Sequence, residues 1–279
     1  MVAFAANSLL CRMALNDPLV DPVSFTTIRL VSCAVALVVI ARIVAGRESQ
    51  QNTKASWDSG FALFAYAAAF SLAYVSLSAG MGALILFGTV QVTMLGAALA
   101  LGKSLGPAQW VDSVTATGGL VYLVLPGISA PDPLGTLLMC VSGITWGRVY
   151  SIRGKGVSTP VAMPAGNFHR SALFAIAASA IALSRVHLKP SGILLALTAG
   201  MVTSGMGYVL WYRVLRSLTT AQASIVQPSV PVLAAFGGVA FLSENVSTRL
   251  VAASALILGG GALGVLKGQT TPNRATRTA

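Results

Sequence analysis

The sequence predicts an all-α membrane protein with ten transmembrane helices, arranged as two inverted five-helix repeats around a central cavity. Three observations favour this fold class: an apolar composition, ten separate apolar runs, and a weak internal repeat. Hydrophobic residues make up 55% of the 279 residues and charged residues only 9%. A soluble domain of this length could not bury so much apolar surface, so the chain is that of a polytopic membrane protein.

The ten predicted spans are apolar runs separated by turn and charge signals. Several connections are only a few residues long, so the spans that they join must form antiparallel hairpins. The spans are 1–15, 24–45, 57–77, 80–101, 107–125, 134–151, 167–183, 191–215, 219–242 and 248–266. The first repeat therefore occupies 1–125 and the second 134–266, while the polar tail 267–279 is expected to be disordered.

A shift of about 141 residues brings the two halves into register, and about 138 fits better between the anchor points. The anchors are Arg12 with Arg153, Arg29 with Arg170, Leu101 with Leu242, and Gly118-Gly119 with Gly259-Gly260. Because each copy holds an odd number of spans, the second copy must lie inverted in the membrane. Chance matching among apolar residues is the alternative interpretation.

The first span is shorter than its repeat partner by about eight residues. Fifteen helical residues reach only about 22 Å, against a bilayer core of about 30 Å. We therefore expect residues ahead of Met1 that this sequence lacks, through trimming or a start codon assigned too far downstream.

Basic residues lie mainly in the loops on one side of the predicted membrane. The net charge of +11 would suggest nucleic acid in a soluble chain, but here it is explained by loop placement. With the N-terminus in the cytoplasm, cytoplasmic loops and tail carry twelve Lys and Arg, against four on the other side. This distribution predicts a bacterial-type inner membrane protein with both termini in the cytoplasm, and no nucleic-acid partner.

The ninth span is interrupted by polar and helix-breaking residues. Residues 219–244 read TTAQASIVQPSVPVLAAFGGVAFLSE, with Gln227, Pro228 and Pro231 near the middle. Proline removes a helical hydrogen bond, so the freed carbonyls should face protein or a wet cavity. Such broken spans are typical of transporter binding sites, although an ordinary kinked helix is the alternative.

Four further segments carry a resemblance to a known family. They are AFAANSLLCRMAL from Ala3, DPVSFTTIRL from Asp21, the run 80–101, and VQPSVPVLAAFGGVAFLSEN from Val226, followed by a glycine-rich last helix. Together they resemble the drug/metabolite transporter superfamily, in its ten-helix form with two EamA-like repeats, and most of all YddG-type exporters of aromatic amino acids. Two departures are Ser243, where such repeats usually have Gly before Glu244, and Gly102-Lys103, where the first repeat often has Gly-Glu.

The resemblance implies an exporter of amino acids, aromatic or otherwise apolar, and of related small metabolites, that works by alternating access. Its substrate site should lie near the bilayer midplane, between the repeats. Aromatic rings there suit a flat apolar body, and amides suit an ammonium or a carboxylate. The candidate residues are Asn7, Tyr66, Ser71, Tyr74, Gln91, Thr93, Trp146, Tyr208, Trp211, Tyr212, Gln222, Gln227 and Ser229, with Pro228 and Pro231 as the helix break.

Several of these candidates have structural alternatives. An aromatic belt at the membrane interface, or simple helix packing, would also explain Tyr66, Tyr208 and Trp211. An interhelical hydrogen bond would explain Asn7 and Gln227.

Charges near the spans make a separate group. Arg29 and Arg170 are expected to snorkel or to bind carbonyls of a neighbouring helix, with a substrate carboxylate as the alternative partner. Asp58, Asp112 and Glu244 lie near span ends and are expected to be solvated helix caps. Because no Asp or Glu falls at a span centre, we expect facilitated diffusion; efflux of drugs or other metabolites, with proton coupling, is the alternative.

No motif in the sequence indicates catalysis, a cofactor or a metal site. The three cysteines show no Cys-x-x-Cys spacing, and neither a hydrolase elbow nor a metalloprotease motif occurs. We therefore expect a transporter rather than an intramembrane enzyme, with a scaffold or receptor as a further rival. Gly260 and Gly264 could pack within the chain or form a dimer; we expect a monomer in the lipid bilayer that binds a small-molecule substrate.

Overall fold

A computed structural model of the chain describes residues 1–45, 55–100, 102, 106–125, 127, 130–153, 162–215, 227 and 229–268. Within these ranges the regular structure is helical, apart from one isolated antiparallel bridge between Val20 and Leu188. Gln222, Pro228 and residues 269–279 of the predicted tail lie outside the described residues. The prediction of an all-helical protein is confirmed.

The helices are labelled in chain order. They are α1 (Val2–Asn16), α2 (Pro22–Ala45), α3 (Trp57–Ala73), α4 (Ala79–Ala100), α5 (Pro107–Val124), α6 (Pro133–Arg153), α7 (Ala162–Ile181), α8, α9 (Ser229–Leu242) and α10 (Thr248–Gly268). Helix α8 consists of three consecutive segments: Pro190–Thr198, the π-helical Ala199–Met206, and Gly207–Leu215. A short 3-10 helix, Leu183–Arg185, follows α7.

Three helices in the described part of the chain are long and apolar enough to cross a membrane, over Pro22–Ile43, Ala79–Ala97 and Pro190–Trp211. Shorter apolar helices cover Val114–Val124, Pro133–Gly147, Ser229–Leu242 and Thr248–Ile257. Large apolar side chains on the outside, such as Phe236 and Phe241, leave about three quarters of their surface uncovered by protein. Such an exterior suits lipid; the count of ten spans stays a prediction.

Two helix ends differ from the predicted span ends for local reasons. Helix α3 ends at Ala73 because residues 74–78 form a turn, in which the Leu77 amide donates to the Ala73 carbonyl at 3.0 Å. Helix α7 already begins at Ala162. Pro164 lies in its first turn, where a missing amide hydrogen costs no helical bond.

The helices of the two halves pack on one another in a regular pattern. Helix α1 packs on α8 and α9, as α6 packs on α3 and α4; α2 packs on α8, as α7 packs on α3. Three further contacts join α2 to α7, α4 to α9 and α5 to α10. Exchanging each helix for the one five places along the chain maps these pairings onto one another, although α4 also contacts α10, and α2 contacts α3 within the first half.

The ends of α4 and α9 share a backbone feature. Gly102, after α4, has φ +69°, and Ser243, after α9, has φ +52°. These are the left-handed residues among those that the structure describes. They lie 243 − 102 = 141 residues apart, which is the shift that aligns the halves in sequence.

Glycines allow two of the closest helix contacts. A Cβ atom on Gly80 of α4 would lie 2.6 Å from the Cβ of Ala235 on α9. A Cβ atom on Gly119 of α5 would lie 2.8 Å from the Cγ1 of Ile257 on α10. Neither distance leaves space for a side chain, so α4 and α5 each pack closely on a helix of the other half.

Candidate functional site

Six helices bring aromatic side chains together inside the bundle. The Phe4 ring of α1 lies 6.4 Å from Trp146, 5.8 Å from Tyr208 and 6.3 Å from Trp211, measured between ring centroids. All three pairs have the edge-to-face geometry that aromatic rings favour. We call the whole group the aromatic cluster; its members are Phe4, Tyr66, Phe87, Trp146, Phe168, Tyr208 and Trp211.

Trp146 of α6 contacts cluster members from both halves of the chain. Its ring lies 6.3 Å from that of Tyr66 on α3 and 5.9 Å from that of Phe87 on α4. Its Nε1 atom donates to the Tyr208 hydroxyl of α8 at 2.7 Å. Phe168 of α7 lies 5.3 Å from Tyr208. The cluster thus takes rings from α1, α3 and α4 in the first half and from α6, α7 and α8 in the second.

The polar groups of the cluster are buried. Tyr66, Trp146, Tyr208 and Trp211 each expose less than a tenth of their surface. The Trp211 indole Nε1 is buried without a hydrogen-bond partner among the described residues. Because buried donors are usually paired, this indole can donate to an acceptor that enters the cluster.

The π-helical segment of α8 lies beside the cluster and contacts α1. Asn7 Oδ1 lies 3.3 Å from the Thr203 hydroxyl, which donates to it and also lies 2.9 Å from the Ala199 carbonyl. Asn7 therefore makes the interhelical hydrogen bond that was its structural alternative. Single π turns inside α-helices occur frequently at functional sites.

Ser71 and Tyr74 lie at the end of α3. Phe70 connects the Tyr74 ring to Tyr66, with centroid distances of 4.7 Å and 5.6 Å. Ser71 donates to the Ala67 carbonyl at 2.9 Å and accepts from the Thr26 hydroxyl at 2.8 Å. The Tyr74 hydroxyl donates to the Ala79 carbonyl at 3.3 Å. Both side chains are fully buried, so these contacts hold α3 against α2 and α4.

The remaining candidates follow α4 and the start of α9. Gln91 and Thr93 are half-buried on α4, and Thr93 donates to the Thr89 carbonyl of its own helix at 2.8 Å. Gln227 and Ser229 are half-buried where α9 begins, and Pro231 lies in the first turn. The backbone of Tyr212 belongs to α8, but its side chain lies outside the described residues.

Arg29 differs from expectation. Its side chain is 1% exposed, and its Nε and Nη1 atoms are buried with no hydrogen-bond partner in the described part of the chain. The expectation was that it snorkels or binds carbonyls of a neighbouring helix; its burial contradicts snorkelling, and Nε and Nη1 bind no carbonyl of the described residues. Two rings lie near the guanidinium: the Arg29 Cζ lies 4.9 Å from the Phe70 centroid and 5.6 Å from that of Tyr66. The guanidinium therefore borders the aromatic cluster through Tyr66.

Arg170 is placed differently from Arg29. It is half-buried, and its Nη1 donates at 2.9 Å to the Gly166 carbonyl of its own helix rather than of a neighbour. Its Cζ lies 5.7 Å from the ring centroid of Trp57, which is more than half exposed.

Glu244 is not the solvated cap that was expected. Its Oε1 accepts from Arg12 Nε at 3.2 Å, and its two oxygens accept from the Ala79 amide at 3.1 Å and 2.9 Å. Arg12, assigned to a loop by the charge count, lies inside α1. A charge in an apolar helix needs a partner, and that requirement could have identified the pair.

No group of three or more His, Cys, Asp and Glu that could hold a metal ion occurs within the described ranges. Cys11, Cys33 and Cys140 are free thiols.

Comparison with known proteins gives the family. Residues 133–266 match the family model described as "EamA-like transporter family". The uncharacterized protein PA1977 of Pseudomonas aeruginosa is 47% identical over 263 residues, which cover 94% of this chain and 91% of that protein. The chain belongs to the EamA-like transporter family. The predicted membership of this family, and with it of the drug/metabolite transporter superfamily, is confirmed.

One protein of known crystal structure is also similar to this EamA-family chain. The two superpose with a TM-score of 0.69 at 18% identity, over 95% of this chain and 97% of the other. At that identity the likeness shows the fold alone. As an EamA-family member, the protein is a membrane transporter with a small-molecule substrate, not an enzyme.

Proposed function

We propose that this EamA-family protein exports amino acids, aromatic or otherwise apolar, and related small metabolites. The aromatic cluster carries the proposal, because three helices of each half contribute to it. An aromatic ring adds roughly 0.5 to 1.5 kcal/mol to simple burial when it meets another ring edge-on or offset. A flat apolar side chain can make such contacts with Tyr66, Trp146 and Tyr208, which makes aromatic amino acids the favoured substrates within the YddG-like class.

The proposed mechanism is alternating access between two inverted five-helix repeats, residues 1–125 and 134–266. Two observations support it: helix pairings that map onto themselves when the halves are exchanged, and left-handed residues at Gly102 and Ser243. A pair of inverted repeats can pack in two ways, each of which opens the central site to one side. The substrate then stays near the midplane while the helices rock around it.

The proposed site includes polar groups around the aromatic cluster. Asn7 and Trp211 supply hydrogen-bonding groups near the rings, while Gln91 and Thr93 lie on α4. Gln227 and Ser229 lie at the start of α9, beside the predicted helix break. We expect Gln227→Ala to lower substrate efflux without changing the amount of protein in the membrane, and unchanged efflux by this variant would remove Gln227 from the site.

Transport by facilitated diffusion is proposed from the charges. None of the Asp and Glu side chains with a described environment is buried. A proton antiporter usually needs a titrating group within the membrane. Movement of substrate down its own gradient requires no such group.

The experiment that tests this function is flux into liposomes that contain the purified protein. Labelled phenylalanine, tryptophan and leucine are compared with lysine and glutamate, each with and without a pH gradient, and protein-free liposomes give the leak. We expect phenylalanine and tryptophan to equilibrate fastest, without a gradient. Flux that requires a pH gradient would contradict facilitated diffusion, and no flux of any amino acid would contradict the substrate class.

The proposed topology is a monomer in a bacterial-type inner membrane, with both termini in the cytoplasm. The excess of Lys and Arg in the loops on the N-terminal side supports this orientation. A reporter enzyme fused to the C-terminus should be active only when it is of the cytoplasmic type. Activity of a periplasmic-type reporter at the same position would reverse the orientation.

A further inference from the structure

We infer that Arg29 binds the anionic group of the substrate, a carboxylate, at the edge of the aromatic cluster. The inference rests on the proposed function, because it assigns one end of the substrate to a residue of that site. Arg29 is 1% exposed, and both Nε and Nη1 are buried without a hydrogen-bond partner among the described residues.

The burial of this guanidinium is not offset by any carboxylate that the structure shows. A buried charge costs several kcal/mol unless it is paired, and arginine cannot lose its proton in a protein. Glu244 is bound by Arg12 and the Ala79 amide. Asp21 is bound by the amides of Ser24 and His187. A third carboxylate, Asp132, is exposed and accepts from Ser76 and the Gly135 amide.

The aromatic rings around Arg29 compensate for only part of this cost. Phe70 and Tyr66 lie 4.9 Å and 5.6 Å from the guanidinium carbon, a range in which each cation–π contact contributes roughly 0.5 to 2 kcal/mol. Two of the three guanidinium nitrogens still lack an acceptor. A substrate carboxylate would supply one.

The Tyr66 ring connects Arg29 to the aromatic cluster. Its centroid lies 5.6 Å from the Arg29 Cζ and 6.3 Å from the Trp146 ring. In the proposed arrangement the side chain of an amino acid packs among the rings and its carboxylate points towards Arg29. Trp211, which contacts Phe4, has a second indole donor without a partner among the described residues.

The backbone of Arg29 is held in place by the π-helical segment of α8. A Cβ atom on Gly200 would collide with the Arg29 carbonyl and with the Ser32 hydroxyl, so α2 and α8 contact each other backbone to backbone here. This close contact fixes the point from which the Arg29 side chain extends. A rigid support of this kind is what a binding group requires.

Arg170 provides a matched control within the same chain. It aligns with Arg29 in the predicted repeat, and its Nε also lacks a partner. Its Nη1, however, donates to Gly166, and the side chain is half-buried beside the exposed Trp57 ring. Loss of a positive charge from the bundle in itself predicts similar effects on ligand binding at both positions, whereas contact between Arg29 and the carboxylate predicts an effect at Arg29 alone.

The test compares three labelled ligands with the purified protein in lipid nanodiscs. Phenylalanine has both charged groups, 3-phenylpropanoate lacks the ammonium, and 2-phenylethylamine lacks the carboxylate. We expect the amine to bind the wild type at least about tenfold more weakly than phenylalanine. Arg29→Gln should weaken binding of the two acids by at least about tenfold and leave the amine unchanged. Arg170→Gln should leave the affinities for all three ligands unchanged.

Several results would overturn the inference. One is that the wild type binds phenylalanine and the amine equally tightly. Another is that folded Arg29→Gln binds the two acids as tightly as the wild type does. A third is that the wild type binds none of the three ligands. If Arg29→Gln does not fold, Arg29→Met, which keeps an apolar stem but has no charge, replaces it; unchanged affinity for the acids would then be the overturning result.

The inference and the proposed function can fail separately. Flux of phenylalanine that is insensitive to Arg29→Gln removes only the role of Arg29. Tight binding of 3-phenylpropanoate by a protein that moves no amino acid removes only the amino-acid assignment.

Discussion

Glu244 and Arg12 form an ion pair, with 3.2 Å between Oε1 and Nε, that joins α1 to the turn after α9. The Glu244 carboxylate also accepts from the Ala79 amide at the start of α4. Arg12 Nη1 donates to the carbonyls of Tyr74 and Val75, which follow α3, at 3.0 Å and 2.9 Å. One ion pair thus joins the ends of four helices, at the end of the bundle that lies away from the N-terminus.

The sequence provides an ion pair of this kind at only one end of the helix bundle. The shift of 141 residues that aligns the halves pairs Glu244 with Lys103 and Arg12 with Arg153. Two basic residues cannot form an ion pair with each other. The departure at Gly102-Lys103 therefore makes the two ends chemically unequal.

Replacement of Glu244 should loosen this end of the bundle. Glu244→Gln removes the charge that pairs with Arg12 and weakens the bond to the Ala79 amide, so we expect the free energy of unfolding to fall by about 1 to 3 kcal/mol. Thermal or chemical unfolding in detergent measures the change. Asp17→Asn, at an exposed carboxylate beside the same helix end, is the control and should be neutral. Equal effects of both substitutions would remove the special role of Glu244.

Replacement of Ser243 by glycine should stabilise the protein. The Ser243 φ of +52° is strained for a residue with a Cβ atom, and glycine adopts this conformation freely. We expect Ser243→Gly to raise the free energy of unfolding by about 1 kcal/mol. Ser243→Ala keeps the Cβ atom and should give no gain, so a similar gain from alanine would contradict the explanation by backbone strain.

Two glycines of α4 should respond oppositely to alanine. A Cβ on Gly80 would lie 2.8 Å from the Cα of Ala235, so the helices must move apart, at a cost of about 1 to 3 kcal/mol. Gly96 has nothing within 4 Å, and alanine there should add about 0.5 to 1 kcal/mol by helix propensity. Unfolding of the two variants in the same detergent checks both signs. A neutral Gly80→Ala would show that α4 and α9 are not in close contact.

Asp21 should make stability depend on pH in the acid range. Burial alone would raise the pKa of this carboxyl, but hydrogen bonds from Ser24 and from the His187 amide lower it below its ordinary value. Because the folded state prefers the charged form, the carboxylate stabilises the fold above about pH 4. That contribution is lost as the pH falls through the folded-state pKa.

Asp21→Asn isolates this effect. The melting temperature of the wild type should exceed that of the variant at pH 6, and the difference should shrink as the pH is lowered below about 4. A difference that stays constant over this range would show that the charge of Asp21 does not matter.

The sequence was sufficient to predict the helical fold and the family, because both depend on local patterns. Apolar runs located most of the helices to within about five residues, although the ninth span was predicted from residue 219 and α9 begins at Ser229. The aligned residues Gly102 and Ser243 both have a left-handed backbone conformation. The prolines of the ninth span were informative too, since Pro231 lies in the first turn of α9 rather than inside it. The YddG-like substrate class stays a prediction.

The composition of the site could not be predicted as well, because it depends on which faces of distant helices meet. Phe4, Phe87 and Phe168 looked like ordinary apolar residues of their spans, yet they complete the aromatic cluster. Tyr74 looked equally suitable, but its hydroxyl donates to the Ala79 carbonyl at the start of α4. The π-helical segment and the isolation of Arg29 are likewise consequences of packing.

The most direct test of the account is the flux of phenylalanine through a variant that lacks the central ring of the cluster. Trp146→Leu keeps the apolar character of the site but removes the ring contacts and the bond to Tyr208, while Trp110→Leu changes an exposed ring on α5. In liposomes we expect Trp146→Leu to raise KM by about tenfold, and Trp110→Leu to behave as wild type. Wild-type KM and flux in a folded Trp146→Leu protein would contradict the assignment of the aromatic cluster as the substrate site.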